Sequence, residues 1–236
     1  MTSVKILSLA VAFFAATHCG NVGIYDEATT NYYRVVRSGL NEWYPLNGNL
    51  SSRVGSVDGT ATAAYSAGSN RNGESGKALC TTAARLDFSR SSFWSSPTTV
   101  GLWVKFNTLP SGISIFQNGR VSTSWYGFKI TLTGGTLPLT FSDGLGVGNN
   151  FTGNTVTTGN WYYLAFSYGN GIGTYYIGSY GGNLLTAGSA SGVYGPYVGD
   201  PLSIFSGAAD ACIDDLVNYN RALSTDEVKQ NFLSVE

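Results

Sequence analysis

The chain has 236 residues, of which 11% are charged, and its formal net charge is −1. This length suits a single all-β domain, and so small a charge, with no block of one sign, excludes the basic surface that nucleic acids require. The only histidine is His18. The body of the chain therefore cannot hold a Ser-His-Asp triad or a His-ligated zinc ion.

Residues 1–19 have the pattern of an export signal. Lys5 precedes an apolar run over residues 6–16 that is too short to span a membrane. Cys19 lies just after this run. A cysteine in this position resembles the lipobox of bacterial lipoproteins, in which the cysteine thiol receives diacylglycerol. The resemblance implies a lipoprotein signal peptide over residues 1–18, a membrane anchor at Cys19, and a location at the bacterial outer membrane or cell surface. A buried N-terminal helix or strand is the alternative.

Residues 19–39 contain few alternating apolar positions and several polar ones. We expect them to form a flexible tether that holds the folded domain away from the membrane. Within them, residues 32–36 could form a short extra strand. The domain itself is expected over residues 40–236.

From residue 42 onward, β-rich runs alternate with turn residues, as in a sandwich or barrel, and no ten-residue amphipathic helix interrupts them. Residues 49–76 are expected to be a long connection with one strand, over residues 61–65. In residues 100–106 the apolar side chains alternate, and Trp103 lies on the opposite side, which predicts a core strand.

Two hairpins are indicated by glycine-rich turns. Gly134 and Gly135 separate residues 128–132 from residues 137–141, and Gly169, Asn170 and Gly171 separate residues 161–168 from residues 174–177. Pro138 cannot donate a ladder hydrogen bond, so its strand is expected at a sheet edge.

The end of the chain carries the most specific local pattern. Residues 212–219 read as a strand with one buried face. Ser224 is the predicted N-cap of a short helix and Glu227 completes its capping box, while Leu223 and Val228 form a hydrophobic staple.

Residues 212–224, CIDDLVNYNRALS, resemble the closing signature of bacterial laminin-G-like (LamG) jelly-roll domains. Four upstream segments are similar to other strands of that family: residues 43–49, 76–79, 99–106 and 161–166. The resemblance implies an all-β fold, an antiparallel two-sheet jelly-roll sandwich of the concanavalin A-like type, with a short C-terminal helix.

The family's sandwich places the second and last strands side by side, which implies a disulfide between Cys80 and Cys212. The cysteine count agrees, because lipidation of Cys19 leaves these two of the three cysteines to pair. Two buried free thiols are the alternative.

The main carboxylate cluster consists of Asp210, Asp214 and Asp215. Asp214 and Asp215 point to opposite faces of a regular strand, so they cannot form an acid–base pair unless the strand is bulged. The E-x-D-x-x-E strand of laminarinase-like enzymes on this fold is missing as well. We therefore assign no catalytic residues, and expect an aspartate here to fix the closing strand through loop N–H groups or Arg221.

Calcium often accompanies this family, and it is bound by loop oxygens near the opening strand. The resemblance therefore implies structural Ca²⁺ as the one candidate cofactor. Asn47, Asp58 and Asp214 are the candidate ligands.

Aromatic residues that lie near predicted loops suit sugar binding, since a ring face can stack on C–H groups while amides bind hydroxyls. The candidates are Trp125, Tyr126, Tyr168 and Tyr180. The alternative is that most of these rings pack in the core, because tyrosine is an ordinary strand residue.

The fold and these candidates predict a surface-anchored, non-catalytic module that binds a glycan or an extracellular matrix-type protein. A glycoside hydrolase or lyase on the same sandwich is one alternative. A purely structural envelope lipoprotein is the other. Because the fold hosts unrelated activities, only the residues of the functional site can distinguish between these three functions.

Overall fold

The computed structural model describes residues 25–27, 30–32, 34–55, 57–88, 97–118, 126–143, 150–151, 154–191 and 201–234. Within these residues the chain forms strands and one helix, in this order: β1 (Tyr25–Glu27), β2 (Thr30–Tyr32), β3 (Leu40–Tyr44), β4 (Thr60–Ala61), β5 (Ser66–Gly68), β6 (Ala78–Thr81), β7 (Leu86–Phe88), β8 (Thr98–Phe106), β9 (Ile113–Asn118), β10 (Tyr126–Leu132), β11 (Leu139–Asp143), β12 (Asn150–Phe151), β13 (Trp161–Gly169), β14 (Ile172–Ser179), β15 (Leu184–Ser191), β16 (Leu202–Ser206), β17 (Ala211–Tyr219) and α1 (Thr225–Leu233).

Two antiparallel sheets form the body of the domain. One has eight strands, in the order β15-β14-β13-β8-β17-β6-β5 with β3 beside β17, and the other has seven, in the order β12-β11-β10-β9-β16-β7-β4. The separate hairpin β1-β2 pairs Tyr25 with Tyr32. The two-layered all-β sandwich with a short C-terminal helix is therefore confirmed.

The main core lies between the two sheets and follows the period of two along each strand. In β8 the residues Val100, Leu102, Val104 and Phe106 face this core, while Trp103 belongs to a second cluster on the outer side of the eight-stranded sheet. The core strand expected from the alternation over residues 100–106 is present, and it pairs along its length with β13 and β17.

Both predicted hairpins are present. Asn170 and Gly171 have φ values of 53° and 73°, the left-handed pair that a two-residue β-turn needs, and they join β13 to β14. Gly134 and Gly135 lie between β10 and β11, and the bridge from Thr133 to Thr136 closes this turn.

Two strand predictions were wrong in position. Instead of one strand over residues 61–65, the long connection has two short ones, β4 in the seven-stranded sheet and β5 in the eight-stranded sheet. The segment between them changes sheets, so it cannot be a strand itself. The strand after Pro138 is not at the edge either, because β12 pairs with its outer side at Leu139 and Thr140.

The helix α1 covers the outer face of the eight-stranded sheet. Its capping box is formed as predicted: the Ser224 side chain accepts from Glu227 N, and Glu227 Oε2 accepts from Ser224 N at 2.9 Å. Leu223 and Val228, the predicted staple, are both buried in the outer cluster.

Residues 34–39 pack onto this outer layer, although the sequence placed them in the tether. Val35 and Val36 are buried, Val36 N donates to Asn231 Oδ1 at 2.8 Å, and Arg221 Nε donates to the carbonyl of Ser38 at 2.9 Å. The folded part of the chain therefore extends back at least to residue 34, because these residues bind partners on α1 and in the loop between β17 and α1.

The strand β17 lies at the centre of the eight-stranded sheet and is buried along its whole length. One side pairs with β8, while the other pairs first with β6, at Ala211 to Ile213, and then with β3, from Leu216 onward. At the gap between β6 and β3 the strand is bulged, and Asp215 has φ 46°. Cys212 is paired with Cys80 of β6, and the two form a disulfide.

Candidate functional site

A row of polar side chains crosses the outer face of the seven-stranded sheet. Each member pairs directly with the next across neighbouring strands, so all of them lie on one face. The residues beside them in each strand, such as Leu86, Phe116 and Ile130, belong to the core between the sheets. We call these six residues the polar row: Thr60, Asp87, Ser203, Gln117, Lys129 and Thr140.

The polar row offers hydroxyl, carboxylate, amide and ammonium groups side by side. With strands about 4.8 Å apart, six positions extend over roughly 24 Å, long enough for several sugar units in line. Gln117 is only 8% exposed, so its amide is largely closed to a ligand, whereas Thr60 at the far end is open to solvent. The five more exposed members of the row can both donate to and accept from a hydroxyl-rich chain laid across the strands.

Asp87 is the one carboxylate of the polar row, and it is already bound. Its Oδ2 accepts from Arg85 Nη2 at 2.8 Å and Nε at 3.0 Å, and its Oδ1 accepts from Ser203 Oγ at 2.6 Å. Arg85 is half-exposed on the same face, two residues before Asp87. The carboxylate of Asp87 is therefore fixed in position by Arg85 and Ser203, and the Arg85 cation lies beside it.

The polar row lies one residue inside one end of the sheet, where Phe88, Leu202, Asn118 and Phe128 are paired in register. Trp125 lies outside the described residues. Tyr126 is the first residue of β10, paired with Asp143, and its side chain also lies outside the described part.

The other two aromatic candidates have different positions. Tyr168 is 9% exposed and belongs to the core between the sheets, stacked beside Phe166, so its ring is not available to a ligand. It follows Leu164 and Phe166 on the inward face of β13. Tyr180 is 52% exposed in the turn after β14, and its hydroxyl donates to Asn72 Oδ1 at 3.0 Å.

Arg71 forms a buried charge cluster in the gap beside β17. Its Nη1 donates to Asp214 Oδ2, while Nη2 donates to Asp215 Oδ2 at 2.8 Å and to the Ser234 carbonyl at 2.7 Å. Because the strand is bulged here, both carboxylates reach the same guanidinium. The bulge is the exception that the sequence analysis named, so the two side chains need not point to opposite faces, and the expected partner Arg221 binds Glu227 instead.

Burial and, next, the charge of Asp215 raise the pKa of Asp214, Arg71 opposes both effects, and the net result is a pKa of about 8. Two carboxylates share one guanidinium, so the cluster keeps one proton more readily than an exposed pair would. Both side chains are almost fully buried. This arrangement fixes the strand and is closed to a substrate.

The three calcium candidates are not brought together. Asn47 and Asp214 line a cavity of about 100 Å³ that also contains the cations Arg53, Arg71 and Lys77, which does not suit a metal ion. Asp58 lies elsewhere, where its Oδ1 accepts from Ser52 N at 2.9 Å. Among the described residues, no three His, Cys, Asp or Glu side chains form a metal-binding group.

Oxygen atoms nevertheless gather at Ser52. Its hydroxyl lies 3.3 Å from Oε2 of the buried Glu42 and donates to the Val54 carbonyl. Burial raises the pKa of the neighbouring Tyr44 hydroxyl, and the charges of Glu42 and Asp58 raise it further. Two carboxylates and a carbonyl are ligands that calcium accepts. Calcium binding at these oxygens stays a proposal.

Residues 80–229 match the family model of the concanavalin A-like lectin/glucanases superfamily, laminin-G type. The chain belongs to this superfamily. The resemblance read from its closing motif is thereby confirmed. Since the superfamily's name covers both lectins and glucanases, membership leaves binding and hydrolysis open.

Solved structures agree with this superfamily fold. Domain 4 of AbnA, a GH43 extracellular arabinanase from Geobacillus stearothermophilus in complex with arabinotriose, matches with a TM-score of 0.67 and 21% identity, over 83% of this chain and 98% of that one. The binding domain of botulinum neurotoxin DC in complex with SialylT matches at 0.60 and 10% identity, over 83% and 52%.

A third structure is Trypanosoma rangeli sialidase in complex with sialic acid, with a TM-score of 0.56 and 14% identity over 86% of this chain and 35% of that one. At these identities the likeness concerns the fold. No curated protein sequence gives a significant match to this superfamily member.

Proposed function

We propose that the protein is a non-catalytic glycan-binding module whose binding face is the polar row. The observation that carries the proposal is the unbroken lateral register of hydrogen-bonding side chains from Thr60 to Thr140 across six strands. A glycan chain presents hydroxyls that both donate and accept, and such a surface can bind several of them at once. The complexes of similar folds with arabinotriose, SialylT and sialic acid support the same class of ligand.

The positions of the carboxylates support binding without hydrolysis. A glycosidase needs two of them, about 5–10 Å apart, on either side of the scissile bond. Among the six residues of the polar row, Asp87 is the only carboxylate, and Arg85 and Ser203 bind it. Asp214 and Asp215 are buried against Arg71, away from this face.

The location of the module is proposed from the sequence alone. Residues 1–18 and Cys19, the signal peptide and the lipid anchor of the sequence analysis, lie outside the described residues, and their roles stay predictions. Among the described residues no helix is long and apolar enough to cross a membrane. We infer a module presented at the cell surface through a lipid anchor.

Binding to an oligosaccharide panel that includes arabino-oligosaccharides and sialylated glycans tests the proposal. Lys129→Ala and Ser203→Ala are expected to weaken retention roughly tenfold each, because each removes one hydrogen-bonding group. Thr174→Ala, on the eight-stranded sheet, is the matched control and should bind like the parent protein. Release of shorter sugars would refute the non-catalytic reading, and a panel without any retained glycan would refute glycan binding.

A further inference from the structure

Four strands of the eight-stranded sheet have an end at the same edge. β8, β17, β6 and β5 are neighbours in that order, and each pair is antiparallel. The end of β8, the start of β17, the end of β6 and the start of β5 therefore lie side by side. The residues at these ends line a cavity of about 400 Å³. We call it the Tyr65 cavity, and its accessible polar lining residues are Tyr65, Ser66, Thr82, Asn107 and Asp210.

These five residues are accessible to solvent. Tyr65 is 39% exposed, Ser66, Thr82 and Asn107 are exposed as well, and Asp210 is partly exposed. The hydrogen bond between the side chains of Asn107 and Asp210 lies at the surface too. A ligand that enters the Tyr65 cavity therefore meets groups that it can reach from solvent.

Asp210 and Asn107 form a fixed polar pair in this lining. Asn107 Nδ2 donates to Asp210 Oδ1 at 2.7 Å, and the backbone N–H groups of Asn107 and Thr108 donate to the Asp210 carbonyl at 2.9 and 3.4 Å. These bonds hold the two side chains next to each other. No other group among the described residues binds Asp210 Oδ2 or Asn107 Oδ1. Two acceptors, one of them charged, are therefore left for a ligand.

Three hydroxyl groups and one aromatic ring complete the lining. The hydroxyls of Tyr65, Ser66 and Thr82 have no hydrogen-bond partner among the described residues, and each can both donate and accept. The exposed ring of Tyr65 adds an apolar surface beside these polar groups. A rigid tyrosine of this kind gives a ligand contact area at a low cost in conformational entropy.

The charge of the lining selects the kind of ligand. Asp210 is the one charged side chain among the described lining residues, so it repels an anionic ligand and accepts a strong hydrogen bond from a neutral hydroxyl. The volume of the Tyr65 cavity lies within the range of about 300–1,000 Å³ that small-molecule sites occupy. A sugar ring combines the hydroxyls that the polar groups need with the C–H face that the tyrosine ring needs.

We propose that the Tyr65 cavity is a second ligand site, which binds one neutral pyranose unit. The C–H face of the sugar packs on Tyr65, and two neighbouring hydroxyls donate to Asp210 Oδ2 and Asn107 Oδ1. The site shares no residue with the polar row and lies on strands of the other sheet. It therefore stands or falls independently of the proposed function.

The test follows the side-chain amide signals of the ¹⁵N-labelled protein by NMR as the methyl pyranosides of glucose, galactose or mannose are added. The Asn107 signals are assigned by their loss in Asn107→Ala. At least one of the three glycosides is expected to shift these signals in the millimolar range, whereas anionic N-acetylneuraminic acid should leave them in place. Tyr65→Ala and Asp210→Asn should each weaken the binding roughly tenfold. Tyr65→Phe keeps the ring and should stay closer to the parent, and Lys129→Ala on the polar row should not change the binding.

Three results would overturn the site: Asn107 signals that none of the glycosides moves, an affinity equal to that of the parent in Tyr65→Ala or Asp210→Asn, or tighter binding of butylamine, which would mark a site for cations. Thermal unfolding of each variant shows whether it is folded. Loss of glycan retention in Lys129→Ala, with the Asn107 shift intact, would separate this site from the polar row.

Discussion

Arg71 and Asp215 lie 144 positions apart in the sequence, and Arg71 Nη2 donates to Asp215 Oδ2 at 2.8 Å inside the protein. The same guanidinium lies over the Trp103 ring, 5.0 Å from its centroid. One loop residue therefore joins the long β5–β6 connection to the central strand and to the end of α1. Arg71 reaches β17 through the gap between β6 and β3.

Replacement of Arg71 tests how much the fold depends on this cluster. Arg71→Leu leaves the buried Asp214–Asp215 pair without its cation, so the free energy of unfolding should fall by about 3–5 kcal/mol. Urea denaturation measures the change. Lys77→Ala, an exposed cation nearby, is the control and should stay within about 0.5 kcal/mol of the parent. A loss no larger than that of the control would contradict the assigned role.

The pKa of Asp214 predicts how stability depends on pH. Burial, followed by the charge of Asp215, raises this pKa from 3.8 to about 8, so the folded state holds the proton more tightly than the unfolded state. The contribution of this bound proton to folding stability is complete below the unfolded pKa of 3.8 and is lost as the pH rises towards about 8. The unfolding free energy should therefore decrease between these values, by at most about 1.4 kcal/mol per pH unit.

Asp214→Asn is expected to flatten this slope, because the amide cannot titrate. Urea midpoints measured from pH 5 to pH 9 with the parent, Asp214→Asn and the exposed Asp226→Asn would show it. If Asp214→Asn and the parent have the same slope, the proton is held elsewhere.

The disulfide ties β6 to β17 across a separation of 132 residues. Cys80→Ala with Cys212→Ala, or reduction of the parent, should lower the unfolding free energy by roughly 2–5 kcal/mol. Alkylation of the unfolded, unreduced protein, followed by peptide mass spectrometry, gives the direct measurement. Alkyl groups on both Cys80 and Cys212 would show that the bond does not form.

The fold was predictable because its strongest signals are local. The alternation of Val100, Leu102, Val104 and Phe106 and the capping box at Ser224 each lie within ten residues. The role of Arg71 was not, since its loop has no periodic pattern and its partners are distant in sequence. The shared position of Asp214 and Asp215 was not predictable either. It depends on the bulge in β17, and that bulge lies where β17 changes its pairing partner from β6 to β3.

The polar row was missed for a related reason. Each strand contributes one polar side chain, and short strands such as β7 and β4 show no feature that marks it as functional. Only the lateral register brings Asp87, Gln117 and Lys129 into one line, and that register is not contained in any single segment. Tyr168 was misplaced because tyrosine suits both a buried strand face and an exposed loop.

If Ca²⁺ binds at Ser52, the thermal stability of the protein should depend on the metal. Addition of Ca²⁺ should raise the melting temperature, and a free concentration about a hundred times the Kd would add about 2.7 kcal/mol. Glu42→Gln should abolish the response, because the amide keeps the shape but removes the buried charge. Asp214→Asn should keep it. A melting temperature that neither calcium nor chelator changes in the parent protein would exclude the site.

The capping box of α1 makes the stability depend on pH in the acid range. Arg221 donates to both carboxylate oxygens of Glu227, at 2.9 and 2.6 Å, and these bonds lower the pKa of Glu227 to about 2. A carboxylate with a lowered pKa contributes stability above its unfolded pKa of 4.5, and the contribution is lost as the pH falls towards about 2. Because Glu227 also accepts from Ser224 N, Glu227→Gln and Ser224→Ala should each cost about 0.5–2 kcal/mol at pH 7. At pH 3 the cost of Glu227→Gln should shrink while that of Ser224→Ala persists, since the serine does not titrate. Equal costs of Glu227→Gln at both pH values, measured by urea denaturation, would show that its charge is not what holds the helix to Arg221.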